Sequence, residues 1–315
     1  MKSASALRAA ADTPALDARM PAPIGAAART RRSSDFLALT KPRLNLLVLI
    51  TTLGGLYLAA PEGVAPLLLL HTMAGTALVA GGAAALNQVW ERDTDGLMRR
   101  TRARPVPAGR LRAHESTRFG VLLAAAGLVQ LAAGVNLVAA GVAALTLASY
   151  LLVYTPLKRR TWLSTLVGAF PGALPPVIGV AAATGAITPT AVALFAIVFF
   201  WQIPHFLAIA WLYRDDYARA GLPLLPVVEP DGRSTGRQAA IYAAALLPVS
   251  LAPGAIGLAG PAYLFPAAAL GVGLLVLSAR FARERSTTSA RRLFLASIVY
   301  LPVLWAMLVA DRFWW

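Results

Sequence analysis

Long uncharged runs dominate this chain, separated by short segments in which nearly all the charge is collected. A helix needs about 20 predominantly apolar residues to cross hydrocarbon, so each run translates into a number of spans. Leu44–Pro61 and Gly63–Trp90 each predict one crossing. Phe119–Leu157 is long enough for two and is interrupted at Gly134-Val135-Asn136. Thr161–Tyr213 also predicts two, broken near Thr184-Gly185 and Pro189, and Gln238–Ala279 divides around Pro253-Gly254 and Gly260-Pro261. Leu293–Ala310 supplies the last span. The pattern therefore predicts an all-α, polytopic membrane helix bundle of nine transmembrane helices, with the Pro/Gly breaks acting as turns.

The basic residues orient that bundle. Of the 29 lysines and arginines, 28 fall in alternate hydrophilic segments: up to Arg43, then 91–118, 158–160, 214–237 and 280–292. Only Arg312 lies on the other side. The positive-inside rule puts the N-terminus in the cytoplasm and the C-terminus outside, where Trp314 and Trp315 suit an interfacial anchor. Residues 1–34 are Ala/Arg-rich and read as a disordered cytoplasmic tail, with 35–315 as the transmembrane domain. Asp12 and Asp17 fit poorly with an acid-poor mitochondrial transit peptide, and no apolar core precedes a cleavage site.

Composition agrees. The 315 residues are 58% hydrophobic and 14% charged, against about 25% charged in a soluble globular domain. The net charge of +15 would otherwise point to nucleic acid, but its placement makes it topological. There are no cysteines, which excludes disulfides and thiolate metal sites.

Two acidic clusters break the monotony. In "NQVWERDTDGLMRRTRARPVPAGR", Asn87, Glu91 and Asp95 are spaced i, i+4 and i+8 and share one helix face, with Asp93 on another unless the helix unwinds at Gly96. Two carboxylates and an amide oxygen are hard ligands suited to Mg²⁺, which usually retains waters and substrate phosphates as well. Arg99, Arg100, Arg102 and Arg104 follow, and guanidinium groups hold phosphate oxygens bidentately. The alternative is simple pairing of acids with topological arginines at the membrane surface. The second cluster, Asp215 and Asp216, ends the sixth span on the same predicted face. Each cluster follows an even-numbered span, so spans 1–4 and 5–8 read as two pseudo-repeated halves. Between them, Tyr154 and Lys158 lie four apart at the end of the fourth span, where Lys158 either meets a phosphate or snorkels. His205 lies inside the sixth span, and a histidine there is either an acceptor-site ligand or a hydrogen-bonded structural group.

Three of these stretches carry a family resemblance. "NQVWERDTDGLMRRTRARPVPAG", "YTPLKRRTWLSTLVGAFPGALPPVIG" and "WQIPHFLAIAWLYRDDYARAGLPLLPVV" resemble, in order and spacing, motifs of the UbiA-type intramembrane prenyltransferases, in particular the haem-farnesylating branch. The resemblance runs from about Asp35 to the C-terminus. It implies nine helices around a lipid-accessible cavity and Mg²⁺-dependent transfer of a prenyl group. It implies Asn87, Glu91 and Asp95 as the first metal site, and Asp215 with Asp216 as the second. It also implies Tyr154 and Lys158 near the diphosphate, beside Arg99, Arg100 and Arg104. The wider family repeats an Asp four residues on, whereas here Arg219 and Ala220 follow, which thins the second site. The substrates implied are farnesyl diphosphate and haem b, with His205 as the haem-binding candidate. The setting implied is a bacterial inner membrane, with product passing to a downstream haem-modifying enzyme or terminal oxidase assembly.

Two other functions compete. A transporter tends to place ionisable groups near the bilayer midplane, but here nearly all lie in loops and His205 is the main midspan candidate. A prenyltransferase acting on an aromatic or quinone precursor uses the same charged parts, and only the Trp-Gln-x-Pro-His-Phe segment, by resemblance, favours haem over it.

Overall fold

The computed structural model describes residues 24–312, with side chains from Arg32 onward, and shows helices and no strands among them. Residues 1–23 of the expected tail, and Trp314 and Trp315 of the expected anchor, lie outside the described residues. The helices are α1 (Ile24–Leu39), α2 (Pro42–Leu58), α3 (Pro66–Trp90), the six-residue α4 (Arg92–Leu97) and α5 (Ala113–Gly134). They continue with α6 (Leu137–Leu157), α7 (Ser164–Thr184), α8 (Pro189–Leu212), the six-residue α9 (Arg214–Arg219) and α10 (Arg233–Ala255). α11 (Pro261–Glu284) and α12 (Thr287–Asp311) complete the bundle. Eight of them are long and apolar enough to cross a membrane, and α2 joins them as a ninth when taken with Arg32–Leu39, from which it is bent by 43°. The protein is a multi-pass membrane protein.

The breaks fall where turn residues interrupt the apolar runs. Asn136 caps α6 by accepting from the Ala139 amide at 2.8 Å, and Gly185 ends α7 with φ of 68°, the left-handed conformation that glycine adopts without a steric cost. Pro189 and Pro261 open α8 and α11 at the first turn, where a missing N–H costs nothing. α7 is itself interrupted at Leu174, between Pro171 and the Pro175-Pro176 pair.

α1 crosses the expected boundary between tail and domain. Leu39 is fully buried, its carbonyl accepts from Gln88 Nε2 at 2.9 Å, and Phe36 packs edge-on to Phe119 at 5.1 Å. Asp35 pairs with Arg110 at 3.0 Å, and Arg32 with Glu115.

The tightest seam joins α3 and α5. A Cβ on Gly127 would fall 2.6 Å from the Gly75 carbonyl oxygen, and one on Gly82 would fall 2.6 Å from that of Gly120. The two facing pairs are seven residues apart on each antiparallel helix, so small residues let the backbones touch twice along one line. α2 packs on the second half of α7, while α8 packs on α7, α10 and α12. At one end of the bundle lie the breaks at Lys41, 91–112, 158–163 and 213–232, tied together by the contacts described next.

Candidate active site

The helical face of the first acidic cluster survives a break in the helix. α3 ends at Trp90 and α4 begins at Arg92, yet the Glu91 amide still reaches the Asn87 carbonyl at 2.9 Å and the Asp95 amide the Glu91 carbonyl at 2.8 Å. Asn87, Glu91 and Asp95 therefore stay in line, and all three are buried. Asp93 points away, exposed and beside Arg92.

Each buried oxygen group faces a cation. Lys158 Nζ lies 3.0 Å from Glu91 Oε1, Arg104 Nη1 2.6 Å from Asp95 Oδ2, and Lys41 Nζ donates to Asn87 Oδ1 at 3.1 Å. The Asn87 amide nitrogen donates to Thr155 Oγ1 at 3.2 Å, which fixes its oxygen toward Lys41. Burial works to raise the Glu91 pKa, but Lys158, its hydrogen bond and Lys41 outweigh it and hold the carboxyl below its ordinary value. Burial likewise works to lower the Lys158 pKa and is outweighed by Tyr154 and Glu91, so the ammonium is held above its ordinary value. A buried pair of this kind costs desolvation, and removing one partner leaves the other charge uncompensated.

Lys158 and Tyr154 are positioned by an irregular stretch of α6. Ser149–Tyr154 forms a wide π-helical turn, of the kind that recurs at functional sites. Thr155 Oγ1 closes it by donating to the Tyr150 carbonyl at 2.8 Å, and the Tyr150 and Tyr154 rings stack at 5.5 Å.

Behind the charged cluster lies a cavity of 460 Å³, within the size range of ligand sites. Lys41, Arg100, Tyr154 and Lys158 line its charged end, and Val48, Val79, Ile178, Phe206 and Ile209 its apolar walls. Among the described residues, α10, α11 and α12 contribute nothing to that lining. The arrangement can hold an anion at its mouth and an apolar group within.

The second cluster meets the first through Arg100. Its guanidinium donates to the Tyr217 hydroxyl at 3.1 Å and lies 5.0 Å from the centre of the Tyr213 ring. Tyr217 lines the cavity; the expected second-site ligands Asp215 and Asp216 do not. α9 leaves Asp215 exposed and turns Asp216 onto Arg219, one turn on. Arg99 is exposed and off the cavity. His205, the expected haem-binding candidate, does not line the cavity either. Its Nδ1 is 2.8 Å from Ser297 Oγ on α12, and its ring sits between Trp201 and Phe294 at 5.1 and 5.2 Å. On α8, Gln202, Phe206 and Ile209 line the cavity, while His205 lies at the edge of that stripe and turns to Ser297 on α12.

Among the described residues no three Asp, Glu or His side chains converge as a ready-made metal site. One buried oxygen, Asp95 Oδ1, has no hydrogen-bond partner among them. Two carboxylates and an amide oxygen, one atom unpartnered, fit a hard cation that takes its remaining ligands from water and a phosphate.

Sequence reading missed Lys41, whose backbone has φ of 49° at the bend before Pro42. The signal was a lysine fixed in Thr-Lys-Pro-Arg at the start of a span. It also passed over Gln202, a lone amide in an apolar run.

Known proteins agree with this architecture. The profile of the UbiA prenyltransferase family matches residues 48–311. A protoheme IX farnesyltransferase of Solibacter usitatus (strain Ellin6076) is 51% identical over 287 residues, covering 88% of this chain and 98% of its own. A solved structure of digeranylgeranylglyceryl phosphate synthase superposes with a TM-score of 0.78 at 15% identity, covering 90% of this chain and 100% of its own. A UbiA homologue from Archaeoglobus fulgidus, bound to GPP and Mg²⁺, gives 0.62 at 16% identity, covering 87% of this chain and 99% of its own. With its helical bundle, its charged cavity mouth and a family match along most of its length, the chain belongs to the UbiA prenyltransferase family.

Proposed function

We propose that the protein transfers the farnesyl group of farnesyl diphosphate to a vinyl group of haem b, where water completes a hydroxyethylfarnesyl side chain. The observation that carries this reading is the convergence of Lys41, Lys158 and Arg104 on the buried Asn87–Glu91–Asp95 face at the mouth of an apolar cavity. Support for haem as acceptor comes from relatives such as that of Solibacter usitatus, a protoheme IX farnesyltransferase by name.

Asn87, Glu91 and Asp95 would hold Mg²⁺, the ion named with the Archaeoglobus fulgidus homologue. When bound, the ion supplies charge neutralisation on the diphosphate as the allylic C–O bond breaks. Lys158, Lys41 and Arg100 bind the diphosphate oxygens and oppose the negative charge that develops there. Tyr154 and the apolar walls orient the allylic chain and exclude water from the cation. The charged end faces the cytoplasm of a bacterial inner membrane, where a water-soluble diphosphate head is met. The product, held in the bilayer by its farnesyl chain, passes to a downstream haem-modifying enzyme or a terminal oxidase assembly.

Haem pigments extracted from membranes with and without the protein test the reading. Hydroxyethylfarnesyl haem is expected to accumulate only with the protein, farnesyl diphosphate and Mg²⁺ present. Unchanged haem b with a prenylated aromatic or quinone precursor would replace haem as acceptor.

A further inference from the structure

Prenylation of a vinyl group makes contradictory demands on water. The allylic cation must not meet it, yet after the new C–C bond has formed one water must reach the cation left on the acceptor. An apolar cavity satisfies the first demand and needs a fixed polar group to satisfy the second.

Gln202 is such a group. It lines the cavity and is 5% exposed. Its amide nitrogen donates to the Ala169 carbonyl at 3.2 Å and to the Val198 carbonyl at 3.1 Å. Both N–H groups are therefore committed, and a flipped amide would set its oxygen against two carbonyl oxygens. Oε1 is the atom left for the cavity. It rests on Gly172, where a Cβ would fall 2.0 Å away, so only glycine leaves it room.

The surroundings give Oε1 a place in the site. Gly168, one turn (about 5.4 Å) earlier on α7, seats the Tyr154 ring, with a Cβ there only 2.6 Å from Cε2. Ser164, a further turn toward the charged end, lines the cavity with a buried hydroxyl that lacks a hydrogen-bond partner among the described residues. Ser164, Tyr154 and Gln202 thus form a polar row along one wall, running inward from Lys158.

A carboxamide oxygen only accepts, so its ligand must donate. Neither a farnesyl chain nor a vinyl group carries an N–H or O–H, and water is the reactant that does. We propose that Gln202 Oε1 holds the water that adds to the acceptor, an inference that rests on the haem reading above. The allylic C–O bond breaks with its electron pair going to the diphosphate. The vinyl π pair then bonds to the farnesyl carbon, which leaves the cation on the carbon attached to the porphyrin ring. The oxygen of the held water bonds to that carbon, and its proton goes to the departing diphosphate. Without a held water, the same cation discharges by losing a proton and gives a farnesylated haem lacking the hydroxyl.

The test supplies membranes with farnesyl diphosphate, haem b, Mg²⁺ and ¹⁸O-labelled water, and reads the haem products by mass spectrometry. The wild-type product is expected to carry one ¹⁸O. In Gln202→Leu, loss of one hydrogen bond is expected to lower the ratio of hydroxylated to dehydrated product about tenfold. Gly172→Ala, which pushes Oε1 off its seat without removing it, shifts the ratio the same way and serves if Gln202→Leu fails to insert. A wild-type ratio in Gln202→Leu, or in Gly172→Ala where only that variant inserts, overturns the role of Gln202 and leaves haem farnesylation standing. A wild-type protein that makes no farnesylated haem overturns the haem reading itself, and this inference with it.

Discussion

Arg100 and Tyr217 join the two loops that carry the acidic clusters: the guanidinium donates to the phenol oxygen at 3.1 Å and lies 5.8 Å from the centre of its ring. Both line the cavity mouth, so the position of Arg100 over an incoming diphosphate depends on a side chain 117 residues away. Tyr217→Phe keeps the ring and removes the hydroxyl. Its KM for prenyl diphosphate is expected to rise about 3–10-fold, the worth of one hydrogen bond, with kcat preserved. In an Arg100→Ala background the same change should have no further effect, because the tyrosine acts through the arginine. Additive losses in that double-mutant cycle would refute the link.

Glu91 and Lys158 are both largely buried, at 8% and 17% side-chain exposure. Glu91→Gln leaves an unpaired ammonium, and removal of one partner of a buried pair costs about 3–5 kcal/mol. Thermal unfolding in detergent should show that loss, and activity should fall at least about 100-fold. Adding Lys158→Met to Glu91→Gln is expected to recover stability without recovering activity. Asp93→Asn, on an exposed residue, should leave both near wild type.

His205 hydrogen-bonds Ser297 and lies between two aromatic rings away from the cavity. His205→Ala removes a partly buried ring and its bond, so stability should fall by about 1–3 kcal/mol. Titration of haem against the variant should give an unchanged affinity and Soret band. A weakened haem titration in a protein of normal stability would restore the residue to the acceptor site.

Side selectivity can be measured directly, since the chain has no native cysteine. Arg102→Cys, exposed at the charged end, is expected to react with an impermeant maleimide only from the cytoplasmic side. Glu62→Cys, exposed in the turn between α2 and α3, should react only from the outside. The opposite pattern would invert the bundle.

Span ends were legible in the sequence because hydrocarbon tolerates few turn residues: Asn136, Gly185 and Pro261 all mark breaks where runs of apolar residues are interrupted. The face of Asn87, Glu91 and Asp95 was legible as well, from helical spacing alone. What stayed hidden was which side of each buried helix meets the cavity. A helix that is apolar all round has no amphipathic stripe to orient it, so Gln202, which lines the cavity, and His205, three residues on and turned to α12, could not be told apart before the packing was known. The left-handed bend at Lys41 and the π-helical turn before Lys158 were hidden for a related reason. Neither alters the run of apolar residues on which the span reading rests.

The double glycine contact between α3 and α5 also bears on how the protein is assembled. The two spans are consecutive in the chain, and their backbones meet directly at Gly75–Gly127 and Gly82–Gly120. Because both contacts must form together, a slip of one turn would push side chains into backbone at each. This hairpin can therefore fix its register as soon as its second arm enters the bilayer, before α6 to α12 have been made. The loop that bears Glu91, Asp95 and Arg104 is then already closed at both ends, and the later helices assemble against a finished wall.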